Sequence, residues 1–221
     1  MITIKPKAFL FDLNGTMIND MAFHNQAWHN ILTADLGANI SFDEVKKQMY
    51  GKNQDLLERV FGIGYFSQEQ IDQISIEKER RYQAAYKKHL ALIAGLGQFL
   101  EKAKQTGIQM AIGSAAIPFN INFVLDNLNI RSYFKAIVSA EDVVNSKPDP
   151  ETFTKGAEIL GVAASECIVF EDAPKGVEAA QNAGMKCVAL TTMHTKEEFS
   201  AYRNIIAFIE DYTDPSLQDL F

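Results

Sequence analysis

The sequence has few cysteines, no long apolar run and no signal peptide. Its two cysteines, Cys167 and Cys187, both lie in apolar, strand-like runs, so we expect small core residues with reduced thiols. No apolar stretch approaches the roughly 18 residues of a membrane span. Residues 1–6 lack the apolar segment and the cleavage site of a secretory leader. We therefore expect a cytoplasmic protein with no membrane partner.

Positive charge is also in short supply. The net charge is -7 and the pI is near 5.1, which argues against nucleic acid or an anionic membrane as a partner. A small anionic substrate, held by a few local cations and a metal, stays compatible with this balance. With 221 residues, 47% of them hydrophobic, the chain can bury one sizeable core and still form a subdomain.

Apolar periodicity divides the chain into two kinds of segment. Residues 8–11 form an apolar run that is typical of a strand buried on both faces. Residues 19–88 show helical spacing without a convincing strand, and in the long helix predicted from residue 67 we expect residues 77–81 to be largely solvated. From residue 89 onward helices and strands alternate. This alternation predicts an α/β fold with a doubly wound parallel sheet.

Polar side chains recur where the predicted strands, or the loops after them, end. They are Asp12 with Asn14, then Ser114, Lys147, and Glu171 with Asp172. Taken singly, each has an ordinary structural reading, such as a capping residue for Asp12 or Ser114 and a surface residue for Lys147. The carboxyl ends of parallel strands meet at one edge of a sheet, however, and ligands bind there. Four such segments in order therefore predict a common site.

These residue types suit the transfer of a phosphoryl group. Asp12 and Asp172 can supply hard oxygen ligands for Mg²⁺, with Glu171 close by and water completing the shell. The hydroxyl of Ser114 and the ammonium of Lys147 can bind phosphoryl oxygens. Asp12 can also attack phosphorus and form an aspartyl-phosphate.

The ordered motifs D-x-N-G-T, Ser, K-P and E-D resemble those of the haloacid dehalogenase superfamily over essentially the whole chain. The opening segment, Asp12–Gly15 followed by Phe23-His24 and Ala27-Trp28, is similar to that of the β-phosphoglucomutase-like group. This resemblance implies a Rossmann-like core of residues 1–18 and 89–221. It also implies an all-helical cap of residues 19–88, inserted after the first motif.

The resemblance also implies a metal site. Asp12 is then both the nucleophile and a Mg²⁺ ligand. The backbone carbonyl of Asn14 and the carboxylate of Asp172 complete the protein's share of the shell, with Glu171 acting directly or through water.

It further implies residues that hold the substrate. Ser114, Lys147 and backbone N–H groups around Ala115 would bind the transferring phosphoryl group. His24 matches a histidine at the cap hinge that couples cap closure to acid–base chemistry. Its ordinary alternative is a half-buried histidine on a helix.

Asn14 departs from the family pattern, in which aspartate protonates the leaving oxygen and then activates the attacking hydroxyl. An amide cannot exchange that proton near neutral pH. Three readings follow. The substrate has a good leaving group that needs no proton, or another residue such as His24 supplies the proton. In the third reading, the protein is a slow enzyme or a binding protein. An engineered substitution that traps the phosphoenzyme is a further reading.

The predicted cap shows a second departure. Sugar-phosphate mutases of this group carry an arginine for the distal phosphate where this chain has Gln54. Lys52 is a nearby substitute, but one ammonium clamps a phosphate less well than a bidentate guanidinium. This difference favours a hydrolase, which needs to grip only one phosphate, over a mutase.

The leading hypothesis is a monomeric, Mg²⁺-dependent phosphohydrolase of a small phosphorylated metabolite, such as a sugar phosphate. A hexose-phosphate mutase and a catalytically weakened phosphometabolite-binding protein are the alternatives. A dehalogenase is disfavoured because that chemistry uses no Mg²⁺ and leaves Glu171 and Asp172 unexplained.

Overall fold

The computed structural model describes residues 5–221, which contain a six-stranded, fully parallel sheet. Its strands are β1 (Ala8–Phe11), β2 (Gln109–Gly113), β3 (Ala136–Val138), β4 (Cys167–Glu171), β5 (Lys186–Leu190) and β6 (Ile205–Ile209). The order across the sheet is β3-β2-β1-β4-β5-β6. Residues 1–4, which belong to the predicted core and to the segment read as lacking a leader, lie outside the described residues.

Helices fill the connections between the strands. They are α1 (Met21–Asn30), α2 (Phe42–Lys47), α3 (Asn53–Phe61), α4 (Gln68–Tyr86), α5 (Leu96–Gln105), α6 (Pro118–Asn127), α7 (Glu151–Leu160) and α8 (Pro174–Asn182). The first five lie between β1 and β2; of these, α1 to α4 form the helical insertion, and a π-helical turn at Ile31–Asp35 extends α1. The predicted α/β class with an all-helical insertion is confirmed. Its division at residues 18 and 89 stays a prediction.

Alternate residues of β1 enter two different cores. Phe9 and Phe11 pack with residues of α5 and α6 on one face, whereas Ala8 and Leu10 pack with residues of α7 and α8 on the other. Successive strand side chains point to opposite faces, so a strand covered on both sides must be apolar throughout. The buried cysteines of β4 and β5 are free thiols, as predicted.

The helical insertion builds a separate cluster from α1 to α4. Its buried members are Trp28, Ile31, Leu32, Val45, Leu56, Leu57 and Ile71. Tyr82 and Tyr86, near the end of α4, join the core of the sheet instead. The insertion therefore has its own packing but stays attached to the sheet through α4. No helix within residues 5–221 has the length and apolarity to cross a membrane.

The predicted solvation of residues 77–81 is wrong for two members. Lys78 and Glu79 are only 3% and 2% exposed. Lys78 lies on the same side of α4 as Ile71 and Tyr82, since three- and four-residue steps share a face. A search for apolar spacing overlooks such a position because its side chain is charged.

We expect Phe9→Ala to lower the free energy of unfolding by about 3–5 kcal/mol, because truncation leaves a cavity in the core. The Phe9 ring lies 5.2 Å from Phe99 and 5.4 Å from Phe170, centroid to centroid. Urea unfolding measures the loss. Phe119→Ala, at a side chain 40% exposed, is the matched control and should cost much less. Equal losses in the two variants would contradict this assignment of the core.

Candidate active site

The predicted site residues meet at the carboxyl edge of the sheet. Asp12 follows β1, Ser114 follows β2, and Glu171 and Asp172 close β4. With Lys147, all of them are buried and line one cleft of about 140 Å³. The strand order places β1 between β2 and β4, so residues far apart in sequence converge there. Asn14, His24, Lys52 and Ala115 line the same cleft.

Lys147 is the cation at the centre of this edge. Its Nζ donates to Asp12 Oδ1 at 2.6 Å, Glu171 Oε1 at 2.8 Å and the carbonyl of Gly113 at 3.0 Å. Burial by itself would lower the pKa of this ammonium, but the Asp12 and Glu171 carboxylates raise it by more, so the net effect is a raised pKa. Lys147 is therefore charged at neutral pH.

Two carboxyl groups of the site are difficult to ionise. Burial, aided by the nearby Glu171, raises the pKa of Asp12 to about 7 even though Lys147 lowers it. Burial and the charges of Glu171 and Asp12 also raise the pKa of Asp172, whose Oδ1 accepts the hydroxyl of Thr16 at 3.0 Å. Further positive charge is needed before both carboxylates can ionise together.

Glu171 is tightly constrained. Its Oε1 accepts Lys147 and its Oε2 accepts the backbone N–H of Ala173 at 2.8 Å. A Cβ on Gly176, in the first turn of α8, would lie 1.7 Å from Oε1, so a side chain there would displace the carboxylate. Both oxygens of Glu171 are already hydrogen-bonded. The geometry therefore favours a role for Glu171 in positioning Lys147 and disfavours direct coordination of a metal.

The side chains that can bind a cation here are few. Within residues 5–221, no three histidine, cysteine or acidic side chains converge on one point. Asp12 and Asp172 remain, beside the sharp turn at Gly15, where φ is 81° and a Cβ would lie 2.1 Å from Asp172 Oδ2. Mg²⁺ typically takes one or two carboxylates and keeps several waters. Hence this pair, with a backbone carbonyl, fits Mg²⁺.

Asn14 is half-buried and belongs to a polar cluster at the cleft wall. Its amide donates to Asp20 Oδ2 at 2.6 Å and lies 3.0 Å from His24 Nε2. The Tyr82 hydroxyl donates to the same Asp20 oxygen, and burial raises the pKa of Tyr82, which keeps it a donor. The sequence motifs do not single out Asp20 as a site residue, so sequence analysis misses this contact. Its side chain makes no capping bond to α1.

Lys78 determines the state of His24. Its Nζ lies 2.7 Å from His24 Nδ1 and 2.8 Å from Glu79 Oε1. An ammonium can only donate, so Nδ1 accepts and the imidazole proton resides on Nε2, 3.1 Å from Asp20 Oδ2. The imidazole also stacks on Tyr82 at 3.7 Å between ring centroids. His24 is thus held in one orientation at the cleft wall.

The two residues suggested for a distal phosphate are otherwise engaged. Lys52 lines the cleft, but its Nζ donates to the carbonyls of Val143 at 2.6 Å and Val144 at 3.2 Å. Gln54 donates to Glu58 at 2.8 Å and is absent from the cleft wall. Successive helical residues point about 100° apart. Consequently Asn53 reaches the cleft and Gln54 does not.

A doubly wound sheet with a helical insertion, and a cleft joining carboxylates, a lysine and a serine, defines a class of α/β enzymes that handle phosphate. A family model described as haloacid dehalogenase-like hydrolase matches residues 9–190. The chain belongs to this family.

Relatives place it in the β-phosphoglucomutase-like group. Beta-phosphoglucomutase of Bacillus subtilis is 30% identical over 192 residues, which are 83% of each chain. Fructose-1-phosphate phosphatase YqaB of Escherichia coli is 29% identical over 181 residues, 81% of this chain and 93% of the relative. The solved beta-phosphoglucomutase of Clostridium difficile is 26% identical, with a TM-score of 0.82 and coverage of 97% and 96%. The protein is accordingly a phosphatase or phosphotransferase of this family.

Proposed function

We propose that the protein is a Mg²⁺-dependent phosphohydrolase that acts on a sugar phosphate or a similar small metabolite. The observation that carries this proposal is the buried Lys147–Asp12 contact of 2.6 Å at the cleft floor, beside Ser114. Lys147 holds one oxygen of Asp12 and presents its ammonium to phosphoryl oxygens. Such fixed donors act strongly in a site that excludes water.

Asp12 then performs covalent catalysis. A carboxylate oxygen attacks phosphorus, the bond from phosphorus to the leaving oxygen breaks, and that oxygen takes a proton. Water next attacks the aspartyl-phosphate, releasing phosphate and restoring Asp12. The Ser114 hydroxyl and N–H groups around Ala115 orient the phosphoryl group throughout.

Three groups of this chain would hold Mg²⁺: the carboxylates of Asp12 and Asp172 and the backbone carbonyl of Asn14. The bound ion would offset the negative charge of both carboxylates and of the phosphoryl oxygens. Burial, together with the charges of neighbouring acids, raises the pKa values of Asp12 and Asp172, and a bound cation would offset both effects. The function of Glu171 is to position Lys147.

Hydrolysis is favoured over the mutase reaction because the lysines of the cleft other than Lys147 already have hydrogen-bond or ion-pair partners. Lys52 binds two carbonyls, and Lys78 binds Glu79 and His24. Lys175, at the rim, pairs with Glu178 at 2.9 Å. A mutase must seat a second phosphate, whereas a hydrolase grips one. The relatives named for phosphatase activity on phosphorylated metabolites support a sugar phosphate or similar compound as substrate.

His24 supplies the proton that Asn14 cannot: its Nε2–H is transferred to the leaving oxygen while Nδ1 takes a proton from the Lys78 ammonium, 2.7 Å away. It is the titratable side chain beside the Asn14 amide on the cleft wall, with Nε2 at 3.0 Å. Asp20 and Lys78 hold its ring from both nitrogens. A histidine held by fixed partners on both sides is suited to general acid–base catalysis.

Asp12→Asn should abolish phosphate release from a panel of sugar phosphates in the presence of Mg²⁺, because the amide is a poor nucleophile. Released phosphate is measured with and without Mg²⁺. The control is Asp126→Asn, at a side chain 61% exposed, which should retain wild-type turnover. Turnover by Asp12→Asn at the wild-type rate would disprove the proposal. Ligand binding without any turnover in the wild type would favour the binding-protein alternative, and phosphate transfer between carbons without release would favour the mutase.

Mg²⁺ affinity should rise with pH. Below its pKa of about 7, Asp12 is mostly protonated, so binding must displace a proton, and affinity should fall about tenfold per pH unit. Above pH 7 the dependence should level off as far as Asp12 is concerned. Calorimetric titration of Mg²⁺ at pH 6, 7 and 8 tests this. An affinity that stays constant over that range would contradict a site built on Asp12.

His24→Asn should slow the hydrolysis of sugar phosphates by about 10²–10⁴-fold, because an alkoxide leaving group needs a proton. Acetyl phosphate, whose leaving group needs none, should lose far less. The ratio of the two kcat values separates lost proton transfer from lost packing. His29→Asn, on the same helix, is the control. Equal losses on both substrates would give His24 a purely structural role.

A further inference from the structure

Glu79 carries an unsatisfied hydrogen-bond acceptor at the cleft. The residue lines the cleft wall and is only 2% exposed. Its Oε1 accepts Lys78 at 2.8 Å and Asn53 at 3.4 Å, whereas its Oε2 is buried without a hydrogen-bond partner. His24 Nδ1 lies 3.9 Å from Oε2, but it already accepts from Lys78 and has no proton to donate.

A buried carboxylate oxygen without a donor is costly, and native structures normally provide one. At a cleft wall, a bound ligand can provide it. Glu79 Oε2 can therefore accept a hydrogen bond from a bound substrate.

The surrounding charges select the kind of donor. A phosphate at this place would be repelled by Glu79, and the nearby ammonium of Lys78 is already paired with it. A second ammonium would be repelled by Lys78. A neutral hydroxyl meets neither penalty, and its hydrogen bond to a charged acceptor is among the stronger kinds.

We propose that Glu79 is a specificity-determining residue that binds a hydroxyl at the end of the substrate away from the transferred phosphoryl group. This inference rests on the proposed function and makes it narrower. The enzyme then selects monophosphate esters of polyhydroxylated compounds and rejects their bisphosphates. Lys78 and Asn53 position the Glu79 carboxylate for this contact.

Two matched pairs of ligands test the proposal. Fructose 1-phosphate and fructose 1,6-bisphosphate differ only in the group at C6, as do glucose 1-phosphate and glucose 1,6-bisphosphate. We expect the wild type to bind each monophosphate at least about tenfold more tightly than the matching bisphosphate. Binding is measured as the inhibition constant of each ligand against the turnover of 4-nitrophenyl phosphate in the presence of Mg²⁺. Equal affinities, or tighter binding of the bisphosphates, would overturn the proposal.

Glu79→Gln tests the residue itself. The amide is a weaker acceptor and can donate to a phosphate, while Lys78 loses its ionic partner. We expect weaker binding of the monophosphates, tighter binding of the bisphosphates, and a preference reduced about tenfold or more. An unchanged preference would overturn the role of Glu79. The control is Glu77→Gln, on the same helix, 45% exposed and paired with Arg81. It removes an equal charge and should leave the preference unchanged.

The same experiment separates failure of this inference from failure of the proposed function. Absence of 4-nitrophenyl phosphate turnover would count against phosphohydrolysis. Dissociation constants of the same ligand pairs, measured by calorimetry with Mg²⁺, would then still decide the role of Glu79. The wild-type comparison requires no variant, so it holds even if Glu79→Gln fails to fold.

Discussion

The contact of the Lys147 ammonium with Asp12 and Glu171 holds the active-site edge together. Each of these groups is buried, and an isolated buried charge is strongly unfavourable in a protein interior. The ammonium also binds the carbonyl of Gly113 and so connects the ends of β1, β2 and β4. Removal of the cation would leave two carboxylates in a medium of low dielectric. The packing of these strand ends and the proposed chemistry therefore depend on the same ion pair.

When its three acids are ionised, this arrangement leaves the site two positive charges short, and a divalent cation suits that deficit. Asp12, Glu171 and Asp172 carry three acidic groups, against which the site supplies Lys147. Burial, reinforced by this imbalance, raises the pKa values of Asp12 and Asp172. An anionic substrate would enlarge it. The proposal of a bound Mg²⁺ thus rests on the local charge of the site and not on the net charge of the chain, which is also negative.

A second polar cluster lies on the helical insertion, where apolar packing would be simpler. Lys78 and Glu79 occupy the inner face of α4, and His24 faces them from α1. The imidazole lies beside the Asn14 amide at Nε2 and beside the Lys78 ammonium of α4 at Nδ1. The loss of an acid at position 14 is thereby accompanied by a histidine with a defined tautomer. In the proposed mechanism, the insertion therefore contributes to both proton transfer and the choice of substrate.

The residue pattern alone predicts the α/β class, the helical insertion, the order of the elements along the chain and the residues of the cleft floor. Those features have local causes: strands buried on both faces are apolar throughout, and the carboxyl ends of parallel strands meet at one edge. The burial and contacts of Asp20, Lys78 and Glu79, and the orientation of Gln54, depend instead on how the elements pack together. Their environments depend on contacts between α1, α3 and α4, which residue spacing along one helix does not specify. Sequence alone predicts that a charged residue such as Lys78 or Glu79 is solvated, because its burial depends on a partner that another element supplies.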